Sequence, residues 1–130
     1  MAVTIVSRSS GGGRRRVTAH ETFDGRDEVR RVIEAIGAPL VAEFLGVSRQ
    51  QPASWSAGRE RIASENRRKL SDLFYLVDRL SQVVHPARVK EWLTTPNVVL
   101  NGGRPQDVFR TRGPMPLIEI IERLEQGAYA

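Results

Sequence analysis

Residues 91–105 read EWLTTPNVVLNGGRP, with two prolines, two glycines, two asparagines and a tryptophan in fifteen positions. Bare glycine amides beside Arg104 raise the possibility of a phosphate cradle. That chemistry needs GxxxxGK[ST] between a strand and a helix, and here neither the Lys-Ser/Thr pair nor a β-branched strand before it is present. The stretch reads instead as short helices joined by compulsory turns. Thr95 precedes Pro96 and is biased out of the helical region, so a helix begun by Pro86, PARVKEWL, stops there with Val89, Trp92 and Leu93 toward the core. Asn97 suits the cap of a turn, NVVL, whose apolar residues call for burial. Gly102 and Gly103 permit the positive φ that reverses the chain, and Pro105 opens the next helix, PQDVF. The fold class that follows is all-α.

Upstream, Leu70, Leu73, Phe74, Val77, Leu80 and Val84 recur at steps of three and four, with Leu76 and Val83 on a second stripe. A helix over Ser64–His85 of about 20 residues, about 30 Å long, is expected as the central strut, with self-association along it a further possibility. Before it, helical signals start near Asp24 or Asp27 with Val29, Val32, Ile33 and Ile36 on one face, and Gly37 ends that helix. Pro39 suits the first turn of the next, where Leu40, Val41, Phe44 and Leu45 form an apolar face that stops at Gly46. In GVSRQQPASWSAG, Ser48 is placed as an N-cap, so a short polar helix lies at an angle to its predecessor, as in a helix-turn-helix. Pro52 lacks the amide that would bond back to Ser48, which predicts a kink or a late helix start. Downstream of Pro105, Leu117, Ile120, Ile121 and Leu124 make one core stripe, with Ile118 beside it, and Gly127 closes the last helix.

Composition bounds the function. The chain has 130 residues, a length for one domain, and no cysteine, which removes thiol catalysis, thiolate metal sites and disulfides together. His20 and His85 stand 65 positions apart without a carboxylate pattern, so no metal and no cofactor are expected. His20 reads as part of an exposed arm and His85 as the end of a helix. Neither an apolar run of membrane-spanning length nor a leader pattern occurs, which points to a soluble, cytoplasmic protein without membrane attachment. No nucleophile, base and orienting group are brought together by any motif, so no catalytic residue is assigned and the chain reads as a non-enzyme. The net charge of +5 lies wholly in residues 1–70, with thirteen Lys/Arg against eight Asp/Glu; residues 71–130 hold seven of each. A basic half joined to a neutral half suits one surface for a polyanion and another for a different partner. Residues 1–23 include SRSSGGGRRR, which has no apolar period, and are expected to form a disordered basic arm.

Residues 38–61, an apolar helix with Ala42, then LGVS, a polar recognition helix with Trp55 buried, and Gly58, resemble the Xre-type DNA-binding family. The chemistry of the segment is compatible with DNA: Arg49 can read guanine edges, Gln50 and Gln51 adenine edges, and Ser54 lies on the same helix, while Ser48, Arg59 and Arg61 can hold phosphates. The pattern WL-x-x-P-N-x-x-L-x-G-G-x-P, followed by an apolar helix and a terminal glycine, is similar to the toxin-binding domain of the MbcA/ParS/Xre antitoxin family. Together the two resemblances cover about 100 of the 130 residues in the family's order. They imply an organisation of a basic arm over 1–23, a helix-turn-helix over 24–63, a central helix over 64–85 and a toxin-binding region over 86–130. The resemblance further implies a type II antitoxin that neutralises an NAD-consuming RES-domain toxin by occluding its active site and represses its own operon by binding operator DNA. It implies homodimers and a higher-order toxin–antitoxin complex. Matching positions are Trp92, Pro96, Asn97, Leu100, Gly103, Arg104 and Pro105, with Trp92 and Leu100 as core and Arg104 as an exposed toxin-binding residue that can meet a carboxylate, followed by Gly127, Ala128, Tyr129 and Ala130 as the segment that reaches the toxin cleft. Tyr129 suits that role, since an aromatic ring offers a large contact area with few rotors. The alternative from a different class is a stand-alone helix-turn-helix transcriptional regulator whose second half serves dimerisation or sensing.

Overall fold

A computed structural model of the chain describes residues 24–127. The expected basic arm, His20 and the tail residues Ala128–Ala130 lie outside them. Among the described residues seven α-helices follow one another: α1 (Arg26–Ile36), α2 (Ala38–Leu45), α3 (Gln51–Ser56), α4 (Ser64–Val83), α5 (Val89–Thr94), α6 (Pro105–Arg112) and α7 (Met115–Glu125). Single 3-10 turns, Pro86–Arg88 and Val98–Leu100, precede and follow α5. Among the described residues the β contact is one isolated bridge, Asn97 to Gly103, and no helix is long and apolar enough to cross a membrane.

The first helix starts where its acidic residues predict. Asp24 accepts from the Arg26 amide at 3.0 Å, and Asp27 and Glu28 occupy the first turn, where carboxylates meet the positive end of the helix dipole. Val29, Val32 and Ile36 are buried along one face and Ile33 packs beside them. Gly37 ends α1, Pro39 sits in the first turn of α2, and Gly46 takes a left-handed φ of 68° at its end. All of Leu40, Val41, Phe44 and Leu45 are buried.

Helix α4 is the strut onto which α1, α2, α5 and α7 pack. Leu70, Leu73, Leu76, Val77 and Leu80 are buried, while Phe74, Val83 and Val84 lie partly covered against the same core. With apolar residues on two stripes, one helix serves both halves of the chain. The halves also meet directly. Phe44 of α2 and Phe109 of α6 pack edge to face at 5.2 Å and 74°, and buried Gln106 donates to Glu43 Oε1 at 2.7 Å.

Several local expectations change. The segment begun by Pro86 forms a 3-10 turn before α5: the His85 imidazole Nδ1 accepts from the Ala87 amide at 3.1 Å, so His85 caps the new turn, while α4 ends two residues before it, at Val83. In α7, Leu117, Ile118, Ile120 and Ile121 are buried and Leu124 is half-covered, so the core stripe tilts toward the start of the helix. Gly103 does not need a positive φ. Asn101 (58°) and Gly102 (84°) reverse the chain, and the Gly103 carbonyl accepts from the Asn97 amide at 2.9 Å.

Candidate functional site

The segment expected to form a helix-turn-helix, α2 and α3 with the turn between them, is assembled around two buried side chains of α3. Trp55 is 1% exposed and Pro52 is also buried, and the helix packs against α1 and α2. Pro52 packs on the inner face of the helix. It can do so because α3 starts late, at Gln51, which puts the proline in the first turn where an amide has no helical partner in any case. The late start overturns Ser48 as the side-chain cap. Gln50 is at the N-cap position with no side-chain cap bond, and Ser48 contributes its carbonyl to the Gln51 amide at 3.1 Å.

This geometry sorts the expected DNA-facing residues. Arg49 and Gln50 are exposed in the turn that leads into α3, the end from which a recognition helix addresses base edges. Ser48 is exposed beside them and Ser54 is half-buried. Gln51 is engaged within the protein: its Oε1 accepts from the Ser48 amide at 3.3 Å and its Nε2 donates to Glu60 at 3.1 Å, tying the entry of α3 to the loop beyond it. Arg59 and Arg61 are exposed on that loop.

The second region is the Asn97–Gly103 turn and the end of α7. Asn97 caps as expected, its side chain accepting from the Val99 amide at 2.9 Å. The turn it holds presents its valines outward. Val98 is 89% exposed and Val99 41%, against the expectation that the NVVL turn is buried; Leu100 alone is half-covered. The reason is topological: a tight turn closed by the Asn97–Gly103 bridge can direct only part of its side chains inward, and Leu100 takes that place. Met115, 58% exposed, opens α7, whose following residues Pro116, Glu119 and Arg123 line a shallow depression with Val99. Sequence reading missed Val98 and Val99 as surface residues, since an apolar turn carries no local sign of which way it faces.

Trp92 packs against the core as expected, though only partly buried. It is half-exposed on the wall of a cleft of about 390 Å3, with Val84, Thr95, Pro96 and Leu124 around it and Arg88 and Glu91 nearby, while Val89 and Leu93 take the fully buried places on α5. Arg104 is exposed, as expected, but its Nε already contacts Asp107 Oδ2 at 3.1 Å. The end of α7 is held to the strut by Arg79, whose guanidinium bonds both Glu125 carboxylate oxygens and the Tyr75 hydroxyl. The hydrogen bond from Arg79 holds the Glu125 carboxyl below its ordinary range, and the same contacts raise Arg79 further. Gly127, with φ 76° and its amide bonded to the Leu124 carbonyl, closes α7 at the surface. Among the described residues, no three His, Asp or Glu gather as metal ligands.

No family model matches the chain. It is 25% identical over 103 residues, 78% of its length and 91% of the relative's, to the mycobacterial cidal antitoxin MbcA of Mycobacterium bovis, and equally to MbcA of Mycobacterium tuberculosis. Among solved structures, a chain in the crystal structure of the M. tuberculosis MbcT–MbcA toxin–antitoxin complex superposes with a TM-score of 0.71 at 23% identity, over 88% of this chain and all of that one.

Proposed function

From the homology of this chain to the mycobacterial cidal antitoxin MbcA, we propose that it is a type II antitoxin, a protein that acts by binding rather than by catalysis. Its partner is a cognate toxin, of the RES-domain, NAD-consuming class. Residues 86–127 supply the docking surface, and Ala128–Ala130 enter the toxin's active-site cleft and keep substrate out. Both partners act in the cytoplasm. Residues 24–63 bind operator DNA, through Arg49 and Gln50 at base edges with Ser48, Ser54, Arg59 and Arg61 around them, so that homodimers and larger toxin–antitoxin assemblies repress the operon.

The observation that carries the docking half is the outward face of the Asn97–Gly103 turn. Val98 is 89% exposed on a turn pinned by a bridge and an asparagine cap, beside exposed Met115. A rigid exposed apolar group suits a partner surface, because no ordering entropy is lost when it is covered. Gly127 supports the tail reading, since it ends α7 at the surface with the Arg79–Glu125 contact anchoring the turn before it.

Co-expression with the neighbouring gene product, size-exclusion chromatography and an NAD-consumption assay test the antitoxin reading. A stable complex with suppressed NAD consumption is expected; two separate peaks with undiminished consumption would overturn it. For DNA, Arg49→Ala with Gln50→Ala should weaken promoter binding more than binding to a random duplex, and both affinities should fall steeply with salt. Equal affinity of the unaltered protein for promoter and random duplex would leave the helix-turn-helix as scaffold.

A further inference from the structure

Beyond the end of α3, the loop after the helix meets the starts of α1 and α4 around a cavity of about 240 Å3. Four arginines line it: Arg26 from α1, Arg59 and Arg61 from the loop, and Arg67 from α4. Two carboxylates, Asp24 and Glu60, are present as well, and each has a local bond. Asp24 accepts from the Arg26 backbone amide and Glu60 from the Gln51 side chain. None of the four guanidinium groups forms an ion pair with an acidic side chain among the described residues.

Arg67 gives the strongest indication. Its Nε is buried with no hydrogen-bond partner, whereas its Nη2 donates to Ser64 Oγ at 3.2 Å. An unsatisfied buried donor on a cation is costly, and the Arg67 guanidinium also stands without a carboxylate counter-charge, which an oxyanion in the recess supplies. The backbone beside the cavity is shaped to hold Arg26 close. A Cβ on Gly58, whose φ is 77°, would come within 2.7 Å of Arg26 Nη2, so that arginine lies against bare backbone. The formal charge of the lining, four cations and two anions, leaves an excess of +2 in a polar recess.

We propose that this cavity is a phosphate-binding site in which the guanidinium groups of Arg26, Arg59, Arg61 and Arg67 hold a phosphate oxyanion. Planar guanidinium forks match the tetrahedral oxygens of phosphate in a way that point charges do not. The phosphate comes either from the backbone of a DNA duplex or from a free phosphate species. In the first case the site is a clamp independent of sequence that positions α3 while Arg49 and Gln50 read bases. That source rests on the DNA-binding reading above; the free-phosphate source does not.

The test follows the Arg67 Nε–H resonance by NMR in the full chain at constant ionic strength. Titrants are sodium phosphate, a random 20-base-pair duplex and sodium chloride as control. Phosphate is expected to move the resonance saturably where chloride does not. Changing the two exposed residues, Arg59→Gln with Arg61→Gln, should weaken that response about tenfold, the effect of lost charge-assisted hydrogen bonds, without lowering Tm. If the duplex moves the same resonance at lower concentration, the source is the DNA backbone, and the double variant should reduce the salt dependence of duplex binding equally for promoter and random sequences. A response to phosphate but not to duplex assigns the free species. An Arg67 resonance that neither phosphate nor duplex moves, or that chloride moves equally, overturns the site. The separate comparison of promoter with random duplex decides the DNA reading either way.

Discussion

Val98→Asp separates folding from partner binding more sharply than any other single change. The Val98 side chain is 89% exposed at the first position of the 3-10 turn, and the Asn97 side chain caps that turn through the Val99 amide. Replacing it removes no core contact, so unfolding stability should shift by no more than about 0.5 kcal/mol, the range for surface positions. For a domain of this size that is a Tm change of at most about 2 °C. If Val98 is covered by the toxin, the lost burial of a valine is worth about 1.5 kcal/mol or more, about a tenfold loss of affinity, and an unpaired carboxylate placed in the interface adds a further desolvation cost. The variant should therefore bind at least about tenfold more weakly, and Val99→Asp, at 41% exposure, should affect both binding and folding. Thermal unfolding and isothermal titration against the purified toxin measure the two quantities on the same samples. Val98→Asp with unchanged Kd would refute the docking surface and move attention to the cleft beside Trp92.

The two tryptophans should behave differently. Trp55→Ala, at 1% exposure, should cost about 3–5 kcal/mol, whereas half-exposed Trp92→Ala should cost about 1–2 kcal/mol, and equal Tm losses would contradict the burial described. Intrinsic fluorescence checks the same point, since Trp55→Phe leaves only the Trp92 emission, expected red-shifted from that of Trp92→Phe. Deleting Ala128–Ala130 should leave the complex intact while NAD consumption returns, with Tm nearly unchanged because α7 is already closed at Gly127; full inhibition at matched occupancy would place the plug elsewhere. The Arg79–Glu125 contact should be acid-labile. A carboxyl depressed in the folded state contributes stability that is complete above the ordinary glutamate pKa, about 4.3, and is lost as pH falls through its lower folded value. The stability gap between the unaltered protein and Glu125→Gln should therefore close on acidification below about pH 4, and a gap independent of pH would show that the bond contributes nothing specific to the ionised form.

Much of the architecture was legible because its signals are local. Gly37, Gly46 and Gly127 end helices where a left-handed or extended backbone is needed, Pro39 and Pro105 begin them, and the step of three and four from Leu70 to Leu80 marks the strut. Period, cap and turn chemistry act within a few residues and can be read without knowing what lies opposite. Asn97 and the Thr95-Pro96 step belong to the same class. Only the tertiary structure decided which apolar residues of a short turn face inward, so Val98 and Val99 came to the surface while Leu100 packed partly against the core, and Trp92, packed partly against the same core, also forms a cleft wall while Val89 and Leu93 take the fully buried places. It likewise turned Pro52 from an obstacle into a packing residue and drew Arg26, Arg59, Arg61 and Arg67, separated by up to 41 positions, around one recess. These depend on distances between segments remote in sequence, and no pattern within one segment encodes which of two apolar neighbours its partner helix leaves room for.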